Sequence, residues 1–175
     1  MPYDQVVSGL QGNQSTLCLP RGRQDLIANK VVLLRKLWPL ATTFGFTEAT
    51  HPGDYPSFAE IRIVSARLKD AIERAIGPNG RVQFFPATIV FEEEIDSTYS
   101  IMYFPDRPDV MDEAHSEMLG LAWGRITLDH TKLDGHHVFA LPSASQASFV
   151  VSERARRIIE EHGIEGIQFN PIPVS

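Results

Sequence analysis

The sequence predicts an α+β fold with a mainly antiparallel sheet and a few packed helices. Two observations carry this prediction. Strand-like segments follow one another at hairpin spacing with few long helices between them, and a short helix–strand unit occurs twice, in mid-chain and near the C-terminal end. Each copy has one apolar helix stripe and one apolar strand face, which it cannot bury alone. We therefore expect both copies to pack onto a common sheet.

The first copy begins with the apolar segment 61–64 and continues into a helix. Ser65 is the expected N-cap, because its hydroxyl can accept a hydrogen bond from the free amides of the first helical turn. The turn residues 77–80 end the helix, and an alternating strand follows that Pro86 is expected to close. The apolar face of the helix is predicted to consist of Leu68, Ile72, Ala75 and Ile76.

The second copy repeats this order. The apolar segment 149–151 leads into Ser152 as the N-cap, and Gly163 ends the helix. Ile164 follows at the position where a Schellman cap places its apolar contact. The last strand is expected to close at Pro171. The apolar helix face is predicted to consist of Ala155, Ile158 and Ile159.

Further strands are expected between the two copies because short apolar or β-branched runs alternate there with turn residues. Residues 92–97 are expected to form a hairpin loop, and residues 112–119 a short polar helix or a loop. The predicted strands are 88–91, 98–104, 125–128 and 137–141.

The chain divides into a region of unclear structure, residues 1–50, and an α+β domain, residues 51–175. Residues 1–24 are rich in Gly, Gln, Asn and Ser, which favours a loop or a loosely attached arm. Residues 25–40 favour a helix over a strand.

Composition narrows the classes of function. Hydrophobic residues make up 43% of the 175, enough for a core, and the net charge is -6. Nucleic acid and anionic lipid are therefore not expected partners. The acidity suits a basic protein partner better, although mild acidity also simply favours solubility. A single cysteine allows no disulfide within the chain. We find no signal-peptide pattern and no apolar run long enough to span a membrane, so the expected location is the cytoplasm.

The region 112–137 concentrates residue types that build metal sites and acid–base pairs. The spacing of these residues does not match the H-E-x-x-H motif, the H-x-E…C-x-x-C deaminase pattern or the 2-His-1-carboxylate arrangement. No nucleophile elbow or phosphate-binding loop occurs either. We therefore predict no catalytic, cofactor-binding or metal-binding residue, and interpret Asp112 as a helix N-cap rather than part of a triad with His115 and Ser116. A small metal- or His/Asp-dependent enzyme stays open as the alternative. The residues concerned are Asp112, Glu113, His115, Glu117, Asp129, His130, Asp134, His136 and His137.

The densest block of charge is the acidic run 92–96. Such a run is usually a solvated turn, but like charges at a hairpin tip can also steer association with a basic partner. On the second interpretation the partner-binding residues are Glu92, Glu93, Glu94, Asp96, Asp106, Asp109 and Glu113.

The order of motifs from residue 55 to the C-terminal end resembles the Imm11 family of bacterial immunity proteins. The resemblance rests on segments 63–69, 82–86, 99–102, 109–117 and 137–142, and above all on 149–154 and 163–172. It implies a protein that binds and neutralises a cognate toxin of a polymorphic, contact-dependent or type VI secretion system, and it supplies no catalytic residue. An accessory module of a secretion system stays open, and so does a homo-oligomer.

Overall fold

The computed structural model describes most of the chain from residue 42 onwards and one N-terminal segment. The described residues are 2–8, 42–46, 52–58, 61–91, 94–119, 122–142 and 148–175. Among these residues the α-helices are α1 (Ala66–Ala75) and α2 (Glu153–Glu161). The strands are β1 (Tyr3–Ser8), β2 (Thr42–Phe46), β3 (Ser57–Phe58), β4 (Ile61–Val64), β5 (Gln83–Phe91), β6 (Glu94–Tyr103), β7 (Glu117–Leu119), β8 (Ala122–Arg125), β9 (Val138–Phe139), β10 (Phe149–Ser152) and β11 (Ile167–Ile172).

Within the described residues the strands form two larger sheets and a separate two-stranded pair, β7–β8. One sheet has the order β2-β5-β6-β4-β3, and the other the order β11-β1-β10-β9. β6 pairs antiparallel with both β4 and β5, and β1 pairs antiparallel with both β10 and β11. β4 and β5 therefore run parallel with a third strand between them, and so do β10 and β11. Each helix–strand unit is a split β–α–β unit.

The predicted α+β class, mainly antiparallel with two similar units, is confirmed, but the expected common sheet is wrong. Each unit builds a sheet of its own. The strand between β4 and β5 is β6, which follows that unit in sequence. The strand between β10 and β11 is β1, which lies far before that unit in sequence.

Both predicted N-caps are confirmed. The Ser65 hydroxyl accepts from the Leu68 amide at 3.2 Å, and the Ser152 hydroxyl accepts from the Ala155 amide at 3.3 Å. Each cap satisfies an amide that the first helical turn leaves without a partner.

The two units share one core, which the helices and facing strands of both sheets build together. α1 and α2 pack against each other, so the apolar stripe of each helix is covered by the other unit. This solves the problem that neither unit can bury its stripe alone. Its fully buried side chains include Val64, Leu68, Ala71, Ile72, Ala75, Phe149, Val151, Ala155 and Ile159.

Each sheet also buries its opposite face. In the first sheet this face carries Phe44, Ile63, Phe85, Ile89 and Ile101. In the second sheet it carries Tyr3, Phe139 and Val150, which share a buried cluster with Leu128 and Leu141 from outside the sheet. Because both faces are covered, many strand residues are buried in succession, as in β4 and β10.

Neither proline closes its strand as predicted. β5 continues through Pro86 to Phe91, and β11 continues through Pro171 to Ile172. Pro86 lies where pairing with β2 is only beginning, at Ala87, and Pro171 lies on an edge strand. Strands tolerate proline at both kinds of position, because no ladder hydrogen bond is needed from its nitrogen.

The acidic run is not the six-residue loop that the sequence predicts. β6 begins at Glu94, so residues 94–97 belong to the strand. The pairing register shifts between Ala87 and Ile89, which marks a β-bulge in this part of the hairpin. Asp96 stabilises the bulge, since its carboxylate accepts from the Thr98 amide at 2.8 Å and from the Thr98 hydroxyl at 2.7 Å.

The expected N-terminal loop is wrong for residues 3–8, which form β1 inside the second sheet. Tyr3 pairs with Ser152 on one side and Ile172 on the other, and both Tyr3 and Val6 are buried. The sequence could not show this because the partners lie at the far end of the chain. The helix predicted for residues 25–40 lies outside the described residues. The domain boundary after residue 50 stays a prediction.

The later elements are shorter than predicted. The predicted strand 125–128 is placed too late, since β8 ends at Arg125 and Leu128 makes only isolated bridges. The predicted strand 137–141 shrinks to Val138–Phe139. Residues 113–115 form one turn of 3₁₀ helix, as the expected short polar helix would.

Candidate functional site

The acidic residues predicted to bind a partner lie in two separate places. Glu94 and Asp96 begin β6, whereas Asp106, Asp109 and Glu113 follow its other end. A ten-residue strand spans about 33 Å at about 3.3 Å per residue. The chain therefore presents an acidic tip, residues 94–97, and at the far end of β6 an acidic loop, residues 106–113. Glu92 and Glu93 lie outside the described residues.

The predicted acidic residues differ in how much of their charge is free. Asp106 pairs with Arg81 at 3.4 Å, Asp109 lies 3.9 Å from Lys132, and Asp96 is engaged in the bulge. Glu94 and Glu113 are exposed, and their side chains make no hydrogen bond or ion pair with another described residue. They are the two predicted residues whose charge a partner would meet unopposed.

Two exposed apolar side chains were not anticipated from the sequence. Ile95 is 72% exposed at the acidic tip, and Met118 is 55% exposed on β7. Each directly follows an exposed glutamate, Glu94 or Glu117. No pattern in the sequence marks them, because alternation predicts which residues share a strand face but not whether another layer covers that face.

β7 and β8 form an antiparallel pair in which Met118 lies opposite Trp123, and Glu117 opposite Arg125. Two hydrogen bonds join the residues before β7 to Thr127 after β8. The Thr127 amide donates to the Ser116 hydroxyl at 2.9 Å, and the Thr127 hydroxyl donates to the His115 carbonyl at 2.7 Å. Among the described residues the pair joins neither larger sheet. We call the described residues 117–119 and 122–125 the β7–β8 hairpin.

Asp112, His115 and Ser116 do not form a catalytic triad. The Asp112 carboxylate accepts from the Ala114 and His115 amides, which confirms it as the cap of the 3₁₀ turn, and it also contacts His115 Nδ1 at 2.7 Å. The Ser116 hydroxyl instead donates to the Asp112 carbonyl at 2.6 Å. Hydrogen bonding from Ser175 and then His115 lowers the pKa of Asp112 to about 2, so this carboxylate stays charged.

The remaining histidines of the region contact different partners. His130 Nδ1 contacts the Ser175 carbonyl, His137 Nδ1 lies 3.0 Å from the Ser152 hydroxyl, and the His136 ring packs edgewise on Phe139. Burial, and then the charge of Arg154, lower the pKa of His137, which favours its neutral form. In the part of the chain that the structure describes, no three His, Cys, Asp or Glu side chains are grouped to hold a metal ion.

A cavity of about 440 Å³ lies beside this region. Its polar groups serve the fold, since the Tyr3 hydroxyl donates to the His136 carbonyl at 3.0 Å and the His137 ring contacts the N-cap of α2. Its lining residues are Tyr3, Pro78, His130, Leu133, Asp134, Gly135, His137 and Val174. We see no nucleophile with an adjacent base here of the kind that nucleophilic catalysis needs.

Comparison with protein-family models matches residues 39–174 to Imm11, described as an immunity protein family. The match spans both split β–α–β units and the β7–β8 hairpin. No curated protein matches the chain. None of the described helices is both long enough and apolar enough to cross a membrane.

Proposed function

Because the chain belongs to the Imm11 immunity protein family, we propose that it binds a cognate bacterial toxin and thereby neutralises it. The toxin is one delivered by a polymorphic, contact-dependent or type VI secretion system, and the encounter takes place in the cytoplasm. Family membership is the observation that carries the proposal. One feature of the structure supports it: the described residues include exposed charged and apolar side chains on β6 and β7, which a partner could contact.

The partner is a basic protein surface. The acidic residues Glu92, Glu93, Glu94, Asp96, Asp106, Asp109 and Glu113 are the proposed contacts. Of these, the acidic tip contributes most to encounter, because Glu94 projects from the end of a long hairpin with no described cation beside it. Exposed charges of this kind raise the association rate and define orientation more than they lower the dissociation rate.

The experiment that tests the function is co-expression. Cells that produce the toxic domain encoded beside this chain should stop growing, and cells that also produce this chain should grow. The adjacent product proving harmless alone, or remaining toxic in the presence of this folded chain, would refute neutralisation.

Replacing Glu94 by lysine should slow association with that toxin about threefold at low salt and leave the dissociation rate unchanged. The difference should shrink as salt rises, because counterions screen exposed charges. Stopped-flow or biosensor kinetics at two ionic strengths measure this. The matched control is Glu161→Lys, which changes the net charge equally at an exposed carboxylate of α2 that is not among the proposed contacts. Equal slowing by both variants would show that only net charge matters and not the acidic tip.

A further inference from the structure

The β7–β8 hairpin contains an uncharged, mainly apolar stretch of sequence, and one of its apolar side chains is exposed to solvent. From Met118 to Gly124 the sequence reads Met-Leu-Gly-Leu-Ala-Trp-Gly, with no charged side chain in seven positions. Met118 is 55% exposed and pairs across the strands with the half-buried Trp123. Soluble proteins ordinarily interrupt such strands with charges, because an uncovered apolar strand edge invites association.

The hairpin also has no strand pairing with the two larger sheets in the described part of the chain. Its strands are three and four residues long, and in the described part of the chain they pair only with each other. A lone two-stranded hairpin is at best marginally stable in water. A partner that covers it would remove apolar surface from water and order a hairpin whose base is already clasped by Ser116 and Thr127.

Ile95, although more exposed, is a weaker candidate for an apolar anchor. It stands between Glu94 and Asp96, and singly scattered apolar residues are common on protein surfaces. Met118, by contrast, lies opposite a tryptophan, Trp123, on the paired strand. Methionine and aromatic residues are enriched at interfaces, and tryptophan is among the residues that carry most binding energy there.

The charges around the hairpin indicate which kind of protein binds there. The approach to the hairpin is acidic, since Glu117, the first residue of β7, and Glu113, four residues before it, are both exposed. Arg125, opposite Glu117, is the hairpin's own cation. A second copy of this chain would bring another net charge of -6 against these carboxylates, whereas a basic partner would meet complementary charge.

We infer that the β7–β8 hairpin is the apolar anchor of the toxin interface, with Met118 and Trp123 seated in an apolar groove that basic side chains border. This inference rests on the proposed function and assigns different kinetic roles to the acidic tip and the hairpin. The acidic tip governs how fast the complex forms, and the hairpin governs how long it lasts.

The test measures dissociation of the purified complex with the adjacent-gene toxin. Met118→Ser should dissociate at least about tenfold faster than the native chain, with association within about twofold of it. Met118→Leu should retain native dissociation, because it keeps an apolar side chain of similar volume. The matched control, Ile95→Ser, removes an even more exposed apolar residue from the other hairpin and should change dissociation less than about threefold.

The outcomes separate this inference from the proposed function. Unchanged dissociation of Met118→Ser, or a larger effect of Ile95→Ser, overturns the hairpin as anchor while neutralisation stands. A native dimer in light scattering that Met118→Ser converts to monomer also overturns it, since a second copy would then cover the hairpin. A native chain that fails to bind the toxin refutes the proposed function itself. Thermal unfolding of Met118→Ser should match the native chain, which excludes misfolding as the cause of fast dissociation.

Discussion

Replacing Asp54 by alanine is expected to lower the free energy of unfolding by about 3 kcal/mol. Its carboxylate is buried where the loop before β3 meets the N-terminus of α1 and the turn after α2. One oxygen accepts from the Ser65 hydroxyl, and the other accepts from Arg67 Nη2 at 2.7 Å and from the Glu165 amide at 2.8 Å. Alanine would leave a buried hydroxyl and an amide without their acceptor and would loosen a contact that joins the two units. Urea unfolding measures the loss.

The matched control is Asp4→Ala. Asp4 is another buried carboxylate, but its contacts with Arg156 are longer, at 3.4 and 3.5 Å from Nη1 to the two carboxylate oxygens. We expect a loss of about 1 kcal/mol there, because Arg156 also pairs with Glu160 and keeps that partner. Equal losses at the two positions would contradict the view that Asp54 is a junction between units rather than one more buried acid.

Replacing Phe149 by alanine should cost about 3–5 kcal/mol of unfolding free energy. Phe149 is 1% exposed and packs edge-to-face on Tyr55 at 5.5 Å and against Phe104 at 6.2 Å between ring centroids. Partial collapse around the missing ring cannot recover these contacts, so a cavity remains in the core that both units share.

This variant also tests the shared core directly. Its unfolding should stay a single transition at lower denaturant, because both units depend on the same packed side chains. Ile95→Ala is the matched control at an exposed apolar position and should change stability by no more than about 0.5 kcal/mol. Two separated transitions in the Phe149 variant would show that the units hold independent cores.

The two helix–strand units could be predicted because the signals that define them lie within a few neighbouring residues. A serine followed by apolar residues at helical spacing defines the start and the buried face of α1, and the same signal defines α2. Long-range pairing was not predictable in the same way. Nothing in the sequence of β1 shows that it lies between β10 and β11, because a strand's partners depend on packing across the whole chain.

The candidate interface was predictable only as a set of charges. The acidic run is visible in the sequence, but the bulge that occupies Asp96 and the ion pairs of Asp106 and Asp109 depend on neighbours brought close by the fold. Exposure of Met118 likewise follows from the absence, among the described residues, of a further strand on the β7–β8 hairpin. Which side chains stay free for a partner, namely Glu94, Glu113 and Met118, is therefore visible only in the structure.

Neutralisation by occlusion is tested most directly by titrating the purified toxin's activity against this chain. Binding predicts that the activity falls in proportion to the amount added, reaches its minimum at a fixed stoichiometric ratio, and returns when the complex dissociates. Loss of toxin activity at far below stoichiometric amounts, growing with time and not reversed by separation, would contradict occlusion. It would instead favour an enzyme that acts through the Asp112–His137 region.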